Sequence, residues 1–230
     1  MALAACVLVP AFQAAATVGA VVDGLARQLG VPVLVVDDGS TDDTAGVARA
    51  RGAEVTRHAR NLGKGAALAT GLRRAAERGF TVAVTVDADG QHPAHSALRV
   101  LGGSDDPGAL VLGVRDLGRD GAPRSNRFGN DVSNFFLSFF AARALADTQC
   151  GLRRYPVRET LALGAHARGY AFEAEIVLRA LAARMPVVEV PIDVIYPPAE
   201  ESRSHFRNAR DPARIVLVVV KTVLELRLRG

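Results

Sequence analysis

The sequence predicts an α/β fold in which helices cover both faces of a mostly parallel central sheet. Short runs rich in Val and Leu alternate with helix-length amphipathic segments, and this order produces right-handed crossovers between parallel strands. The 230 residues are 49% hydrophobic, which suits one well-packed core. Neither an internal repeat nor a low-complexity linker divides the chain, so we expect a single domain over residues 1–230.

Apolar runs and helix-start signals locate the elements along the chain. The expected strands cover residues 4–9, 31–36, 53–56, 82–86, 110–112 and 187–194. The expected helices cover residues 44–50, 64–78, 133–145 and 211–229. Ser40 and Asp43 approximate a capping box before the first of these helices. The segments 115–127 and 197–208 are rich in Arg, Gly, Pro and polar residues, and we expect them to be loops.

Composition limits the classes of function. The 28 Lys and Arg residues exceed the 24 Asp and Glu residues, and 26 of the basic residues are Arg, which holds phosphate with a rigid two-pronged fork. Two cysteines are too few for a disulfide scaffold, so a reducing, cytosolic compartment is expected. Outside the first ten residues, the longest apolar run, 215–220, ends at Lys221, which predicts a chain that is soluble or lies on a membrane surface.

Acidic residues follow two of the expected strands. Asp37 and Asp38 come directly after VLVV, and Asp87 and Asp89 come after VAVTV. Ligands of open α/β sheets bind at the carboxyl ends of the strands, so these carboxylates should converge on one crevice. In the run DADGQ, the side chains of Asp87, Asp89 and Gln91 alternate and would project to one side, where they would hold a divalent cation. An Asp-Gly turn with solvated carboxylates explains the same run.

Four motifs occur in order in the first half of the chain: VLVPAFQ, VVDDGSTDDT, NLGKGAAL and VDADGQHP. Together they resemble the inverting family 2 glycosyltransferases, which have the GT-A fold. The later segments DTQCGLRRYP, FEAEIVLRAL, VVEVPIDVIYPP and ESRSHF resemble the branch of dolichyl- and polyprenyl-phosphate mannose and glucose synthases. The resemblance implies a GT-A fold in which residues 1–114 bind the nucleotide sugar and metal and residues 115–230 form the acceptor half.

The resemblance also implies roles for individual residues. Those assigned to the donor nucleotide are Pro10, Phe12, Gln13, Asp37, Asp38, Lys64, Asp87 and Ala88. Those assigned to a Mg²⁺ or Mn²⁺ cofactor are Asp87, Asp89 and Gln91. Ala14 departs from the family, which usually has Glu at this position, and the departure bears on the preference for the donor base.

Basic and acidic residues of the second half are assigned to phosphates and to proton transfer. Arg115 matches an Arg that contacts the donor phosphate, and Arg124, Arg127 and Arg203 would hold an acceptor phosphate. The residues implied in catalysis are Asp89, Arg115, Arg127, Arg203 and Glu175. A lipid phosphate is already anionic and requires no strong base, whereas a hydroxyl acceptor requires one within hydrogen-bond reach. The candidates for such a base are Glu173, Glu175 and Asp147.

The expected function is transfer of a sugar, with inversion, from a UDP- or GDP-sugar to a polyprenyl phosphate lipid, with Mg²⁺ or Mn²⁺ as cofactor and no nucleic-acid partner. Transfer to a hydroxyl of a glycolipid or polysaccharide stays open. A nucleotidyltransferase is a weaker alternative, because the segment PAFQAAA after the first strand has no Gly-rich basic phosphate cradle. A receiver-like phospho-switch is weaker too, since its acidic pair should follow the first strand.

The second half of the chain also predicts contact with a membrane. We expect a cytoplasmic protein, peripheral on the inner face of the membrane, alone or with a membrane-protein partner. The helix over 211–229 has basic residues on one stripe and apolar residues over much of the remainder, which is typical of interfacial helices. Part of the cluster of Phe135, Phe136, Phe139 and Phe140 should contact a prenyl chain or the bilayer. Both features are also typical of helices that cover a sheet.

Overall fold

The computed structural model describes residues 3–118, 130–131, 134–135, 137–139, 143–167, 169, 171–196 and 210–229. Its strands are β1 Ala5–Ala11, β2 Val33–Asp37, β3 Glu54–Arg57, β4 Val82–Thr85, β5 Leu110–Arg115, β6 Arg153–Pro156 and β7 Val187–Ile192. Its helices are α1 Val18–Leu29, α2 Thr44–Ala50, α3 Lys64–Glu77, α4 Ala94–Leu101, α5 Val157–Ala162, α6 Ala171–Ala182 and α7 Arg210–Arg229. The residues described between 130 and 139 are helical as well.

The described strands form one sheet in the order β3-β2-β1-β4-β6-β5-β7. Neighbouring strands are parallel, except that β6 runs antiparallel to both β4 and β5. The chain passes from β1 outward to β2 and β3 and then returns to the other side of β1 with β4. The carboxyl ends of β1, β2 and β4 therefore border a topological switch point, where sheets of this kind bind ligands. The predicted α/β class with a mostly parallel sheet is confirmed.

Helices cover both faces of the sheet because the buried strands are apolar on both sides. Successive residues of a strand point to opposite faces. In β1, Cys6 and Leu8 belong to one buried cluster with Leu68 of α3, whereas Val7 and Val9 belong to a second cluster with α1 and α4. All of these side chains are fully buried. The two clusters hold the sheet between helical layers, and the loops at the strand ends are built on this rigid base.

Several elements differ from the predicted ones, and α1, α4, α5 and α6 have no counterpart among the helices predicted with bounds. β6 has no counterpart among the predicted strands, because two Arg in RRYP are atypical of a buried strand. The predicted helix over 133–145 ends early, since residues 143–145 are not helical. The predicted capping box is wrong, because α2 begins after Asp43 without a side-chain cap. Ser40 Oγ instead accepts a hydrogen bond from the N–H of Gln13 at 2.9 Å.

The last described helix, α7, packs against α6. Its Val219 and Thr222 are buried, and Arg179 of α6 donates a hydrogen bond to Glu225 Oε2 at 2.8 Å. The exposed large apolar residues of α7 are Leu217, Val220 and Leu224. Among the helices within the described ranges, none is both long enough and apolar enough to cross a membrane.

Candidate active site

A lysine at the start of α3 joins two acidic segments at the carboxyl edge of the sheet. Lys64 Nζ lies 2.7 Å from Asp87 Oδ1 and 3.2 Å from Glu173 Oε1. Asp87 follows β4, and Glu173 lies in the first turn of α6. Gly65 permits this approach, because a Cβ at this position would lie 2.7 Å from the carbonyl oxygen of Ala167. The beginnings of α3 and α6 therefore meet near the end of β4.

Asp38 holds the loop that leads into α3. Its Oδ1 accepts a hydrogen bond from the N–H of Leu62 at 2.9 Å and lies 2.7 Å from His58 Nδ1, and its Oδ2 accepts the N–H of Gly63 at 2.7 Å. These partners satisfy a carboxylate that is almost fully buried. Asp38 thus positions Gly63, which directly precedes Lys64. Asp38 and Asp87 are therefore linked through these two consecutive residues.

Asp37 and Gln13 are engaged by neighbouring loops. Asp37 Oδ1 accepts the N–H of Ser40 at 2.9 Å, and its Oδ2 lies 3.1 Å from Arg57 Nε. Gln13 Oε1 accepts the N–H of Thr41 at 2.9 Å. These contacts tie the loop after β1 to the loop after β2 at the switch point. The other residues assigned to the donor nucleotide are Pro10 and Phe12, which are half-buried, and Ala88, which is buried.

The charges of Asp87 and Asp89 are compensated to different degrees. Burial opposes ionisation of Asp87, but the ammonium of Lys64 and the other basic groups nearby together hold the pKa of this carboxyl below its ordinary value. Crowding by protein atoms and the charge of Asp87 raise the pKa of Asp89 to about 6, although this residue keeps an exposed surface. Asp89 Oδ1 accepts the N–H of Gln91 at 2.9 Å. The site therefore carries negative charge that Lys64 does not balance.

The residues at this edge fit a divalent cation. Asp87 and Asp89 supply carboxylate oxygens, and the unfavourable negative charge at Asp89 is one that a cation would relieve. Gln91 is half-buried and follows them in the same segment. Within the part of the chain that the structure describes, no three His, Cys, Asp or Glu side chains form a metal cage. Mg²⁺ does not need such a cage where substrate phosphates complete its coordination.

His92 stays neutral beside this cluster. Burial lowers its pKa to about 4, because a charged imidazolium is poorly solvated there. Its Nδ1 is enclosed and has no hydrogen-bond partner among the described residues. His92 therefore adds no positive charge to the site at neutral pH.

Arg115 and Asp147 form a buried two-pronged pair at the end of β5. Arg115 Nε donates to Asp147 Oδ2 at 2.6 Å, and its Nη2 donates to Oδ1 at 3.0 Å. Asp147 Oδ1 also accepts the N–H of Cys150 at 3.1 Å. Burial opposes the charge on Arg115, but Asp147 outweighs it and raises the pKa of the guanidinium above its ordinary value. Arg115 is thus held charged and in a fixed orientation.

Gly151 contributes to the site by having no side chain, a role that the sequence analysis missed. A Cβ at position 151 would lie 2.6 Å from Asp87 Oδ2 and 2.7 Å from Lys64 Nζ. The Asp87 and Lys64 side-chain ends therefore pack directly against the backbone of the turn before β6. No pattern in the sequence marks this contact, since it joins segments more than sixty residues apart.

Arg153 is a second residue that the sequence analysis missed. It is fully buried, and its guanidinium donates to three main-chain carbonyls. These belong to Thr148 at 2.7 Å, Cys150 at 2.8 Å and Glu173 at 2.7 Å. Arg153 thereby joins the DTQCG turn to the first turn of α6. The signal available in the sequence is the alternation within RRYP, since consecutive strand residues point to opposite faces.

Glu175 lies on a different side of α6 from Glu173, because two residues of a helix are about 200° apart. Its Oε2 accepts the N–H groups of His166 at 2.9 Å and Ala167 at 2.7 Å. Its Oε1 accepts a hydrogen bond from Arg179 Nε at 2.7 Å. Both oxygens therefore support the loop before α6 and the helix itself, and the role of Glu175 as a general base stays a prediction from the sequence.

Some residues with expected roles lie outside the described residues. They are Arg124, Arg127, Arg203, Phe136 and Phe140. Their roles stay predictions from the sequence. Of the Phe cluster, Phe135 and Phe139 are described, and their side chains are largely exposed at 67% and 71%.

Known proteins resemble this chain in sequence. The family model described as Glycosyl transferase family 2 matches residues 6–160. The chain is 32% identical to a dolichyl-phosphate hexose transferase of Haloferax volcanii, over 85% of this chain and 83% of that protein. It is 27% identical to a UDP-N-acetylglucosamine–dolichyl-phosphate N-acetylglucosaminyltransferase of Methanococcus voltae, over 82% of this chain and 84% of that protein. These names confirm the resemblance that the motifs predict.

A solved structure shares the fold. Glucosyl-3-phosphoglycerate synthase from Mycobacterium tuberculosis, crystallised with Mn²⁺, UDP and glucosyl-3-phosphoglycerate, matches with a TM-score of 0.73 at 19% identity, over 96% of this chain and 80% of that chain. The GT-A architecture is therefore confirmed. Because the family model spans more than half of the residues and the relatives span most of both chains, this protein belongs to glycosyl transferase family 2 and is a glycosyltransferase.

Proposed function

We propose that this enzyme transfers a sugar, with inversion, from a UDP- or GDP-sugar to a polyprenyl phosphate. The observation that carries the proposal is the contact of Lys64 with both Asp87 and Glu173 at the switch point of the sheet. A nucleotide binds at such a point in open α/β sheets. Residues 1–114 would hold the donor and its cation, and residues 115–230 would form the acceptor side.

Asp37 and Asp38 would act on the nucleoside in different ways. Asp37 Oδ2 is buried and forms an ion pair with Arg57 at 3.1 Å, but it accepts no hydrogen bond from a described residue, so it would accept an N–H or O–H of the base or ribose beside that pair. Asp38 is already saturated by the loop before α3. Its contribution would be to position Lys64, which lies one residue beyond that loop.

Asp87 and Asp89, with Gln91, would hold Mg²⁺ or Mn²⁺ together with the donor diphosphate. When bound, such a cation neutralises the charge that develops on a departing nucleoside diphosphate. Lys64 supplies one fixed positive charge to this region, and Arg115, held in place by Asp147, supplies another. The structural relative crystallised with Mn²⁺ and UDP supports this assignment of cofactor.

The acceptor class follows from how the candidate bases are engaged. Asp147 binds Arg115, Glu173 binds Lys64 and Glu175 binds Arg179. Each of these carboxylates is engaged by a basic side chain, so none of the three is placed to take a proton from an acceptor hydroxyl. An acceptor that is already anionic needs no such base. The relatives named for dolichyl phosphate support a lipid phosphate as this acceptor.

Contact with a membrane surface would bring the enzyme to such a lipid. Leu217, Val220 and Leu224 are exposed on one stripe of α7, and Lys221 beside them is exposed as well. A helix with this arrangement can rest in the headgroup layer with its cation toward anionic lipid. We expect the Leu217→Ser/Leu224→Ser variant to lose co-sedimentation with anionic vesicles. Unchanged co-sedimentation would contradict this placement on the cytoplasmic face.

The proposal is tested by a transfer assay with radiolabelled UDP- and GDP-sugars and Mn²⁺. The acceptors compared are a short polyprenyl phosphate, the matching polyprenol and a hydroxyl-bearing glycolipid. We expect transfer to the phosphate alone, loss of transfer with a chelator, and a product whose anomeric configuration is opposite to that of the donor. Equal transfer to the polyprenol or glycolipid would favour the hydroxyl-acceptor alternative, and full activity with a chelator would contradict the role of a cation.

A further inference from the structure

Glu173 is a buried carboxylate whose position is set from two sides. Its side chain is only 3% exposed. The carbonyl oxygen of the same residue accepts a hydrogen bond from Arg153 Nη1 at 2.7 Å, which fixes the first turn of α6. Its Oε1 lies 3.2 Å from Lys64 Nζ. Burying an ionised carboxylate is unfavourable unless a cation compensates it, so Glu173 and Lys64 depend on each other.

Lys64 divides its single charge between two carboxylates. Its ammonium lies 2.7 Å from Asp87 Oδ1 and 3.2 Å from Glu173 Oε1, and it also interacts electrostatically with Asp89. Three carboxylates and one ammonium leave a formal charge of −2 when all are ionised. The neighbouring pair of Arg115 and Asp147 adds no net charge. This excess matches one divalent cation.

Loss of Glu173 would change which charges remain for that cation. The Lys64 ammonium would then no longer be shared with Glu173 and would neutralise the Asp87 carboxylate more completely. The formal charge of the cluster would fall to −1 by the same count. Both changes weaken the attraction for a divalent cation, although Glu173 itself need not touch the metal.

We infer that Glu173 is a positioning residue that shares the Lys64 ammonium with Asp87 and so keeps part of the negative charge of Asp87 available to the cation. This inference rests on the proposed function, because it concerns the cation that Asp87 and Asp89 would hold. Glu173 acts through Lys64 and not as a base. It therefore affects cation binding in the absence of any sugar transfer.

The test measures Mn²⁺ binding directly, with electron paramagnetic resonance as the readout, in the presence of UDP or GDP. We expect Glu173→Gln to raise the Kd for Mn²⁺ about tenfold, the usual order for loss of a residue that orients metal ligands. Glu225→Gln is the matched control. It breaks an ion pair to Arg179, which lies on α6 like Glu173 but away from Lys64. This control should leave the Kd unchanged. Circular dichroism and melting temperature establish that each variant is folded.

A double-variant cycle separates positioning from general damage to the fold. In a Lys64→Met background, Glu173→Gln should raise the Kd for Mn²⁺ less than in the wild type, because the loss of one charge remains but the residue through which Glu173 acts is absent. If Glu173→Gln does not fold, Glu173→Asp replaces it, since this change keeps the carboxylate but withdraws it from Lys64 by about 1.5 Å. A smaller rise in Kd is then expected, because the formal charge of the cluster is unchanged.

The outcomes distinguish this inference from the proposed function. If the wild type binds Mn²⁺ and Glu173→Gln binds it with the same Kd, the inference is overturned but the proposed function is not. An equal effect of Glu173→Gln with and without Lys64 would also overturn it. Failure of the wild type to bind Mn²⁺ with either nucleotide would overturn the cation-dependent part of the proposed function, and the inference with it.

Discussion

Substitution of Gly151 by Ala tests whether the contact between the turn before β6 and the Lys64–Asp87 pair matters for activity. The new Cβ would lie 2.6 Å from Asp87 Oδ2 and 2.7 Å from Lys64 Nζ, whereas ordinary van der Waals contact begins at 3.4 Å. Each side-chain end must therefore retreat by about 0.7–0.8 Å. Both ends are flexible, so we expect the free energy of unfolding to change by less than about 1 kcal/mol.

Activity should be far more sensitive than stability to this displacement. A misplacement near 1 Å in a catalytic site costs about 10²-fold in rate, or about 2.7 kcal/mol of transition-state stabilisation. We expect kcat/KM for sugar transfer to fall by about this factor. Gly102→Ala is the control, because a Cβ there meets only Leu98 O at an ordinary 3.7 Å. A Gly151→Ala enzyme within twofold of wild type would refute the reasoning.

Three further predictions concern charge and burial. Asp89→Ala should abolish the rise in melting temperature caused by Mn²⁺ with UDP or GDP, because the charge of Asp89 is the least compensated in the site. Circular dichroism should stay native, because Asp89 is exposed. An unaltered rise in melting temperature would remove Asp89 from the site. Burial raises the pKa of Cys6 and Cys150 to about 12. Ellman's reagent at pH 8 should therefore label neither thiol in the native protein and both thiols in guanidinium. Rapid labelling of the native protein would contradict the burial of these thiols. Burial lowers the pKa of His92 from 6.5 to about 4, so the unfolded state binds more protons than the folded state between these pH values. The free energy of unfolding should therefore fall by roughly 3 kcal/mol as the pH drops from 6.5 to 4. Denaturant titrations should show a flatter pH dependence for His92→Gln, and equal slopes for variant and wild type would count against this assignment.

Local sequence patterns were sufficient for the framework of the site. Parallel strands end at one edge of a sheet, so the alternation of strands and helices predicts that the carboxylates at the ends of β2 and β4 lie at that edge. The family motifs led to the same residues. Lys64 was also found in this way, because it opens α3 within one of those motifs.

The choice between Glu173 and Glu175 was beyond local patterns. Both lie in FEAE, and both are acidic residues of one helix. Which of them faces Lys64 depends on the rotation of α6 about its axis against α3, and that rotation is set by packing. Glu173 meets the site, whereas Glu175 meets Arg179 and the loop before the helix.

The adjacent residues Arg153 and Arg154 illustrate the same limit within a strand. Because β6 alternates between faces, Arg153 binds the carbonyls of the turn and α6, whereas Arg154 binds the carbonyls of Leu101, Ser104 and Asp106. Two charged residues are atypical of a buried strand, and main-chain acceptors in the preceding turn and in other segments make their burial favourable.

The amino-acid sequence by itself determined the α/β class, the family and the segments that carry the acidic residues, because these depend on periodicity and on motifs within short stretches. Tertiary structure alone decided that Glu173 shares Lys64 with Asp87, that Gly151 packs against this pair and that Arg153 joins their supporting segments. Those contacts join residues that lie far apart along the chain, and their distances depend on how helices and strands pack together.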